Sequence, residues 1–378
     1  MTSVHDARAL LAELVAIESI NPDLVVGGSG EAGIARFVAR WLERAGLEVE
    51  MSEVAPGRPN VIGRARGHGG GRTLLMNAHM DVVGVAGMEE PFSPRIEGDR
   101  MYGRGAYDMK AGLAAIMVAG AAAVERGLAG DVLVTAVCDE ESASIGAHSI
   151  AARVTADAAI VTEPTGERIL IAIAHKGFSW HRVVVHGRAA HGSMPEKGVD
   201  AIVHMGHVLV ALDELAGDLA ARPPHPQLGT GSLHASIISG GREGSTYPDL
   251  CTLELERRTL PGETVEVVEA ELEAMLDTVR GHRPALDAEL HTTLVRDPFH
   301  VAADAEIVGC VRAALGHDTP VIGVPFWTDG AVFSAAGIPT VIFGPGGDGA
   351  HAAVEWVDLA QLDRCVAALD DVIGRFCG

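Results

Sequence analysis

The order in which strand-like and helix-like runs follow one another constrains this chain more than any single residue does. Up to about Ala174, β-branched runs at Thr73–Met76, Val132–Val137 and Ala158–Val161 alternate with stretches of helical spacing at Ala32–Ala45 and Ala111–Arg126. That alternation predicts an α/β fold, a βαβ sheet with helices on both faces. Between Lys176 and about Val295 the order changes. Strand Ser179–His186, helix Ala201–Ala216, strands Leu233–Ile238 and Asp249–Thr259, helix Val265–Val279 and strand Leu286–Leu294 follow in turn. This β-α-β-β-α-β order is the split ferredoxin-like pattern, and it predicts a compact α+β domain inserted into the larger one. After Pro298 the alternation resumes with helix Ala305–Leu315, strand Thr340–Phe343 and a closing helix Leu359–Phe376. The expected organisation is a larger domain over residues 1–175 and 296–378, interrupted by an insert over 176–295.

Charge and cysteine usage then remove several classes of function. Lys and Arg number 29 against 51 Asp and Glu, a net charge of −22 over 378 residues, which argues against a nucleic-acid partner because phosphate binding needs clustered cations. Uncharged Ala111–Val124 is shorter than the roughly 20 residues that a bilayer span requires, so no membrane partner is expected. Asp6, Arg8 and Glu13 interrupt what would have to be the apolar core of a signal peptide, and the segment reads as an amphipathic helix. Cys138, Cys251, Cys310, Cys365 and Cys377 are odd in number and contain no Cys-x-x-Cys pair. A disulfide framework or thiolate zinc site is therefore not expected, and a reducing, cytoplasmic location is.

Five short segments place His or acidic groups just after strand-like runs, where sheets of this type put their ligand sites. The first is Met76-Asn-Ala-His79-Met-Asp81, in which a neutral imidazole can ligate zinc while a nearby carboxylate fixes its other N–H. The second, Gly103-Arg-Gly-Ala-Tyr-Asp108-Met-Lys, is a glycine-bracketed turn opening a helix, where an isolated Asp would by default be an N-cap. The third, Cys138-Asp139-Glu140-Glu141, sets three acids directly after a strand, and adjacent carboxylates there repel unless a cation or proton sits between them. The fourth is Val161-Thr-Glu163-Pro, and the fifth is a glycine loop, Gly344-Pro-Gly-Gly-Asp-Gly-Ala-His351-Ala-Ala-Val-Glu355, that delivers a second His to a helix start. Two zinc ions bridged by one carboxylate need about this inventory, with one acid left over as general base.

His79-x-Asp81, Gly103-x-Gly-x-x-Asp108-Met-Lys, Asp139-Glu140-Glu141, Glu163-Pro and the late His351 together resemble the co-catalytic di-zinc amidohydrolase and metallopeptidase family, which includes acetylornithine deacetylase, succinyl-diaminopimelate desuccinylase, aminoacylase and glutamate carboxypeptidase. The resemblance implies two Zn2+ per chain, with Co2+ able to substitute. His79 and Glu163 would bind one ion, Glu141 and His351 the other, and Asp108 would bridge them. It further implies that Asp81 orients His79, that Glu140 is the general acid/base, and that the Asp108–Met109 peptide is cis. The insert resembles the family's lid and dimerisation module, so a homodimer is expected through it. Within it His191 falls where relatives place a substrate-contacting histidine, which reaches the site of the other subunit. Arg258, in Glu256-Arg257-Arg258-Thr-Leu-Pro, matches the arginine that holds the substrate carboxylate, which a planar fork can bind bidentately. One position departs: relatives commonly have Asn three residues before a proline where this chain has Ser245-Thr-Tyr-Pro248. The expected activity is hydrolysis of the amide bond of an N-acyl amino acid, with an exopeptidase or dipeptidase, or a metal-binding sensor, as the competing readings. No Gly-x-Ser-x-Gly elbow supports a serine hydrolase.

Overall fold

A computed structural model of the chain describes residues 6–378, so the first five residues of the larger expected domain lie outside the description. The chain divides into two compact units: one runs to Ile173 and resumes over Val301–Ile322 and Thr328–Gly378, and the other comprises Ala174–His300 with Gly323–Trp327.

The first unit is built on a mixed sheet in which strands Glu48–Ala55, Arg58–Ala65, Val132–Val137, Leu74–His79, Ala158–Val161 and Thr340–Ile342 lie side by side in that order. The first two form an antiparallel hairpin turned at Gly57, whose φ of 74 a residue with a Cβ would resist. The remaining four run parallel to one another, His79 opposite Val137 and Asn77 opposite Val161. This register brings the carboxyl ends of the His79, Val137 and Val161 strands to one edge. Their residues are buried throughout, as a sheet covered on both faces requires.

Helix Lys110–Glu125 is apolar on nearly all sides and almost wholly buried, because it carries Ala and Gly where a surface helix would carry charge. Its approach to the sheet depends on those small residues. A Cβ on Gly112 would stand 2.3 Å from the carbonyl oxygen of Thr162, next to Glu163, and one on Gly120 would stand 2.4 Å from Val134 Cγ2. Helices Ala7–Val15 and Leu359–Cys377 also belong to this unit, each capped by the aspartate expected of a helix start, Asp6 and Asp358. Sequence patterning missed a small sheet of strands Gly347–Asp348, Trp356–Asp358, Arg100–Tyr102 and Arg95–Glu97. Two or three residues are too few to show an alternating pattern.

The second unit is a four-stranded antiparallel sheet in the order Ser232–Gly240, Leu250–Thr259, Gly177–His186, Asp287–Arg296, with helices Ala201–Ala221 and Val265–His282. In chain order this is strand two, three, one, four, the ferredoxin-like arrangement. One sheet face and one stripe of each helix share a core of Val183, Val185, Met205, Val208, Leu253, Leu272 and Leu276. The first helix runs five residues past Ala216, because Gly217 costs a helix only about 1 kcal/mol whereas Pro223 stops it. Strand Ser232–Gly240 is an exposed edge that carries Ile237 and Ile238. Among the described residues no helix is long and apolar enough to cross a membrane.

Candidate metal centre

His79 ends its strand with the ring buried. Its Nδ1 lies 2.9 Å from the backbone oxygen of Asp81, and a carbonyl can only accept, so Nδ1 donates and Nε2 faces the cluster of acids. Nε2 lies 3.3 Å from Asp108 Oδ1, 3.5 Å from Glu163 Oε1 and 3.9 Å from Glu140 Oε2. The second histidine approaches the same acids from another side: His351 Nε2 is 3.0 Å from Glu141 Oε2 and 3.4 Å from Asp108 Oδ2. Asp108 thus turns one oxygen to each histidine. Ligand atoms of His79, Glu140 and Glu163 lie within 4.8 Å of one another, and so do those of His79, Asp108 and Glu141. The five motifs far apart in sequence converge on one place.

The carboxylates crowded together there raise one another's pKa values. Burial and the neighbouring Glu163 push the Glu140 carboxyl well above its ordinary range. Burial, together with Asp108 and Glu141, does the same to Glu163, and burial with Asp108 raises Glu141. Asp108 goes the other way: hydrogen bonds with His351 and His79 outweigh its burial and hold it well below the carboxylate range. Those bonds with Asp108 and Glu141 raise His351 to about 10. Among the described residues, the ion-pair partners of these four acids are histidines rather than Lys or Arg. Glu141 Oε1 is buried with no hydrogen-bond partner at all. Acidic oxygens converging on two imidazoles, one of them orphaned, fit divalent cations that take N and O ligands.

The surrounding residues fix this geometry. Asp81 was expected to orient His79; the contact with Nδ1 is made by its backbone oxygen. Its carboxylate lies farther, Oδ1 at 3.6 Å from Nδ1, and instead accepts from the backbone N–H of Glu140 at 3.1 Å and of Glu141 at 3.2 Å. Asp108 does not cap the following helix, which starts after Met109 with no side-chain cap. The turn that carries Asp108 is held by Glu355, whose Oε1 accepts from Tyr107 N and Asp108 N and whose Oε2 pairs with Arg104 at 2.6 Å. The Asp108–Met109 peptide is cis. Of the three consecutive acids, only Glu140 and Glu141 face the histidines, while Asp139 turns away to Arg58.

In the second unit the structure straps two of the singled-out residues together. Gly192 N donates to Ser245 O at 2.7 Å and His191 bridges to Thr246, so His191 and Ser245 lie on adjoining exposed loops, His191 Nδ1 bonded to Ser193 Oγ at 2.8 Å. Arg258 stacks over Phe178 and holds Glu256 with two nitrogens, Nε at 2.7 Å and Nη2 at 3.3 Å. Sequence reasoning missed Asp329, which is buried, accepts from Asn77 Nδ2 at 3.3 Å and is pushed up to about 7 by burial. Its charge also raises Glu140 and Glu163. An acid before a short helix reads as an ordinary cap in sequence, so no signal marked it.

Comparison with known proteins follows the same lines. The sequence profile of peptidase family M20/M25/M40 matches residues 75–375. An acetylornithine deacetylase of Myxococcus xanthus is 30% identical over 98% of this chain and 97% of its own length. Among solved structures, an aminopeptidase PepT of Bacillus cereus superposes with a TM-score of 0.81 at 20% identity, covering 100% of this chain and 99% of that one. YXEP of Bacillus subtilis, a dinuclear metal binding peptidase, superposes with a TM-score of 0.76 at 16% identity, covering 100% and 99%.

Proposed function

The chain belongs to peptidase family M20/M25/M40, a family of hydrolases, and on that premise we propose that it hydrolyses the amide bond of an N-acyl amino acid. The observation that carries this reading is the pair of ligand clusters that share His79. A relative matched over 98% of this chain and 97% of its own length is an acetylornithine deacetylase. In this reading His79 and Glu163 would hold one Zn2+, Glu141 and His351 would hold the other, and Asp108 would serve both; Co2+ would serve as well. Bound there, two divalent ions would polarise the amide carbonyl and lower the pKa of a water. Glu140 is the acid left over. It takes a proton from the attacking water as the new C–O bond forms, then gives that proton to the departing nitrogen as the C–N bond breaks, leaving a carboxylic acid and an amine. Asp81 keeps His79 in the tautomer that presents Nε2, and also holds the backbone from which Glu140 projects.

The first unit is accordingly the catalytic domain and the second a lid and dimerisation domain. His191 is assigned to the oxyanion of the tetrahedral intermediate, Arg258 to the substrate carboxylate and Ser245 to a further substrate contact. The protein would act in the cytoplasm as a homodimer. Hydrolysis assays with zinc- and cobalt-reconstituted protein on N-acetylornithine, N-succinyl-diaminopimelate, other N-acyl amino acids and simple dipeptides test the reading. Turnover of N-acyl amino acids is expected. Cleavage of dipeptides alone would make the chain an exopeptidase, and bound metal with no turnover on any amide would leave a sensor.

A further inference from the structure

Behind the acids that face His79 lies a second buried charge cluster that the proposed chemistry does not use. Arg58 opens its strand with its guanidinium almost wholly buried, and it meets three carboxylates. Nε and Nη2 bind the two oxygens of Glu31 at 2.6 and 2.7 Å, Nη2 binds Asp139 Oδ1 at 2.8 Å, and Nη1 binds Asp23 Oδ2 at 2.6 Å. Glu31 and Asp139 are as buried as the arginine. Asn21 joins this cluster to the metal centre: its Nδ2 donates to Asp139 Oδ1 at 3.0 Å and to Asp81 Oδ2 at 2.8 Å.

We infer that Arg58 is a positioning residue, which through Asp139 and Asn21 fixes the turn that projects Glu140 and Glu141 into the site; the inference rests on the metal reading above. Asp139 has a φ of 67, a left-handed conformation uncommon for non-glycine residues though easier for aspartate than for most, and here its contacts hold it there. The determinants are visible. Asp139 N donates to Glu31 Oε1 at 3.1 Å, Oδ1 is gripped by Arg58 and Asn21, and Oδ2 accepts from Ala143 N at 3.2 Å. The next two backbone N–H groups, of Glu140 and Glu141, both go to Asp81, which Asn21 ties back to Asp139. The turn is therefore clamped on one side by Arg58 with Glu31 and on the other by Asp81. From it Glu140 reaches towards His79 and Glu141 towards His351.

A purely stabilising role explains the arrangement poorly. Burying a guanidinium among carboxylates is expensive, and a well-packed apolar replacement is often at least as stable. What apolar residues cannot supply is a planar fork that fixes two carboxylates at once, and an ammonium lacks that fork as well.

The test uses the full chain carrying Arg58→Lys or Asn21→Ala, the second of which changes no charge and keeps the test alive should the first fail to fold. Circular dichroism and thermal melts establish folding. Calorimetric titration of Co2+ into chelator-stripped protein, the visible absorption of the bound ion, and kcat and KM are then measured. Loss of an outer partner of a metal ligand typically costs about 10–100-fold in metal affinity or activity. One of the two Co2+ ions should therefore bind more weakly by about that factor, its absorption should change, and kcat should fall with KM nearly constant. Wild-type affinity, absorption and kcat in both folded variants would overturn the inference, even with a lowered melting temperature, since that pattern means a structural role alone. Full function in Arg58→Lys would also overturn it, because charge without the fork would then suffice. Wild-type protein that takes up no Co2+ would instead refute the metal reading, and this inference with it.

Discussion

Glu140 and Glu141 are neighbours in sequence, yet neutralising each should have opposite consequences. Oxygens of Glu140 and Glu163 lie no more than 4.8 Å apart. Two unit charges at that separation repel by about 3.5 kcal/mol at an effective dielectric of ~20. A shared proton relieves part of this in wild-type protein, so Glu140→Gln should stabilise the chelator-stripped protein by about 1–3 kcal/mol. In a domain of this size that raises the melting temperature by ~2–4 °C for each kcal/mol. Glu141→Gln gains less, because the contact of Oε2 with His351 that it gives up, at 3.0 Å, is closer than that of Glu140 Oε2 with His79 at 3.9 Å. With metal restored the order inverts. Glu140→Gln should keep both ions and lose about 10²–10⁴ in turnover, the usual worth of a positioned acid/base. Glu141→Gln should lose one ion. Thermal melts of stripped protein, metal analysis after dialysis and single-substrate kinetics on the same preparations decide the matter. A stripped Glu140→Gln protein less stable than wild type would refute the repulsion argument, and loss of an ion from Glu140→Gln with two retained in Glu141→Gln would reverse the roles.

Other consequences can be measured separately. Arg258→Lys should cost about 2–5 kcal/mol in transition-state binding on substrates with a free carboxylate, since Lys lacks the fork, whereas equal rates of wild type on acid and amide substrates would remove Arg258 from that role. If dimerisation uses the edge strand Ser232–Gly240, Ile237→Lys should convert the protein to a monomer in sedimentation; an unchanged dimer places the interface elsewhere. His191→Ala subunits mixed with Glu140→Gln subunits should regain activity towards half of wild type per dimer if His191 serves the partner's site, and no recovery after verified exchange excludes it. His181 is held below its ordinary value by burial and by Arg257, against the pull of Glu269, while bonded to Ser179 Oγ at 2.8 Å. Its contribution to stability is thus complete above the unfolded pKa of about 6.5 and declines as pH falls below it. Urea midpoints of His181→Gln should fall less between neutral and acid pH than those of wild type, and parallel slopes would contradict this.

Much of the fold was readable because its signals are local. Val132–Val137 and Ala158–Val161 stand where patterning alone puts them, since a strand buried on both faces is an unbroken apolar run bounded by polar residues. The insert was equally legible: alternating burial along Gly177–His186 and the stripe of Met205, Val208 and Leu212 are both written as periodicity. The convergence of the candidate site residues has another cause. His79 ends a strand while Glu140, Glu141 and Glu163 follow one, and parallel strands in register deliver their carboxyl ends to one edge.

The parts that could not be read are those that act between distant segments as single residues. Arg58, Glu31 and Asp329 stand in no motif, and Glu355 closes the glycine-loop segment without a role assigned to it; each has a commonplace local meaning as a strand-start cation, a helix-start acid or a loop acid. Their importance arises only when folding buries them, since a buried charge must find its partners and those partners then become fixed. Glu355 illustrates the step. In sequence it is an acid four residues after His351, whereas in the structure it accepts from the backbone of Tyr107 and Asp108, so the loop that brings the second histidine also holds the acid that faces it. Arg58 does the corresponding work for Glu140 and Glu141. The residues that face the histidines can thus be listed from strand ends, but their geometry is set by buried ion pairs whose sequence separation, 81 residues between Arg58 and Asp139 and 251 between Arg104 and Glu355, leaves no local trace.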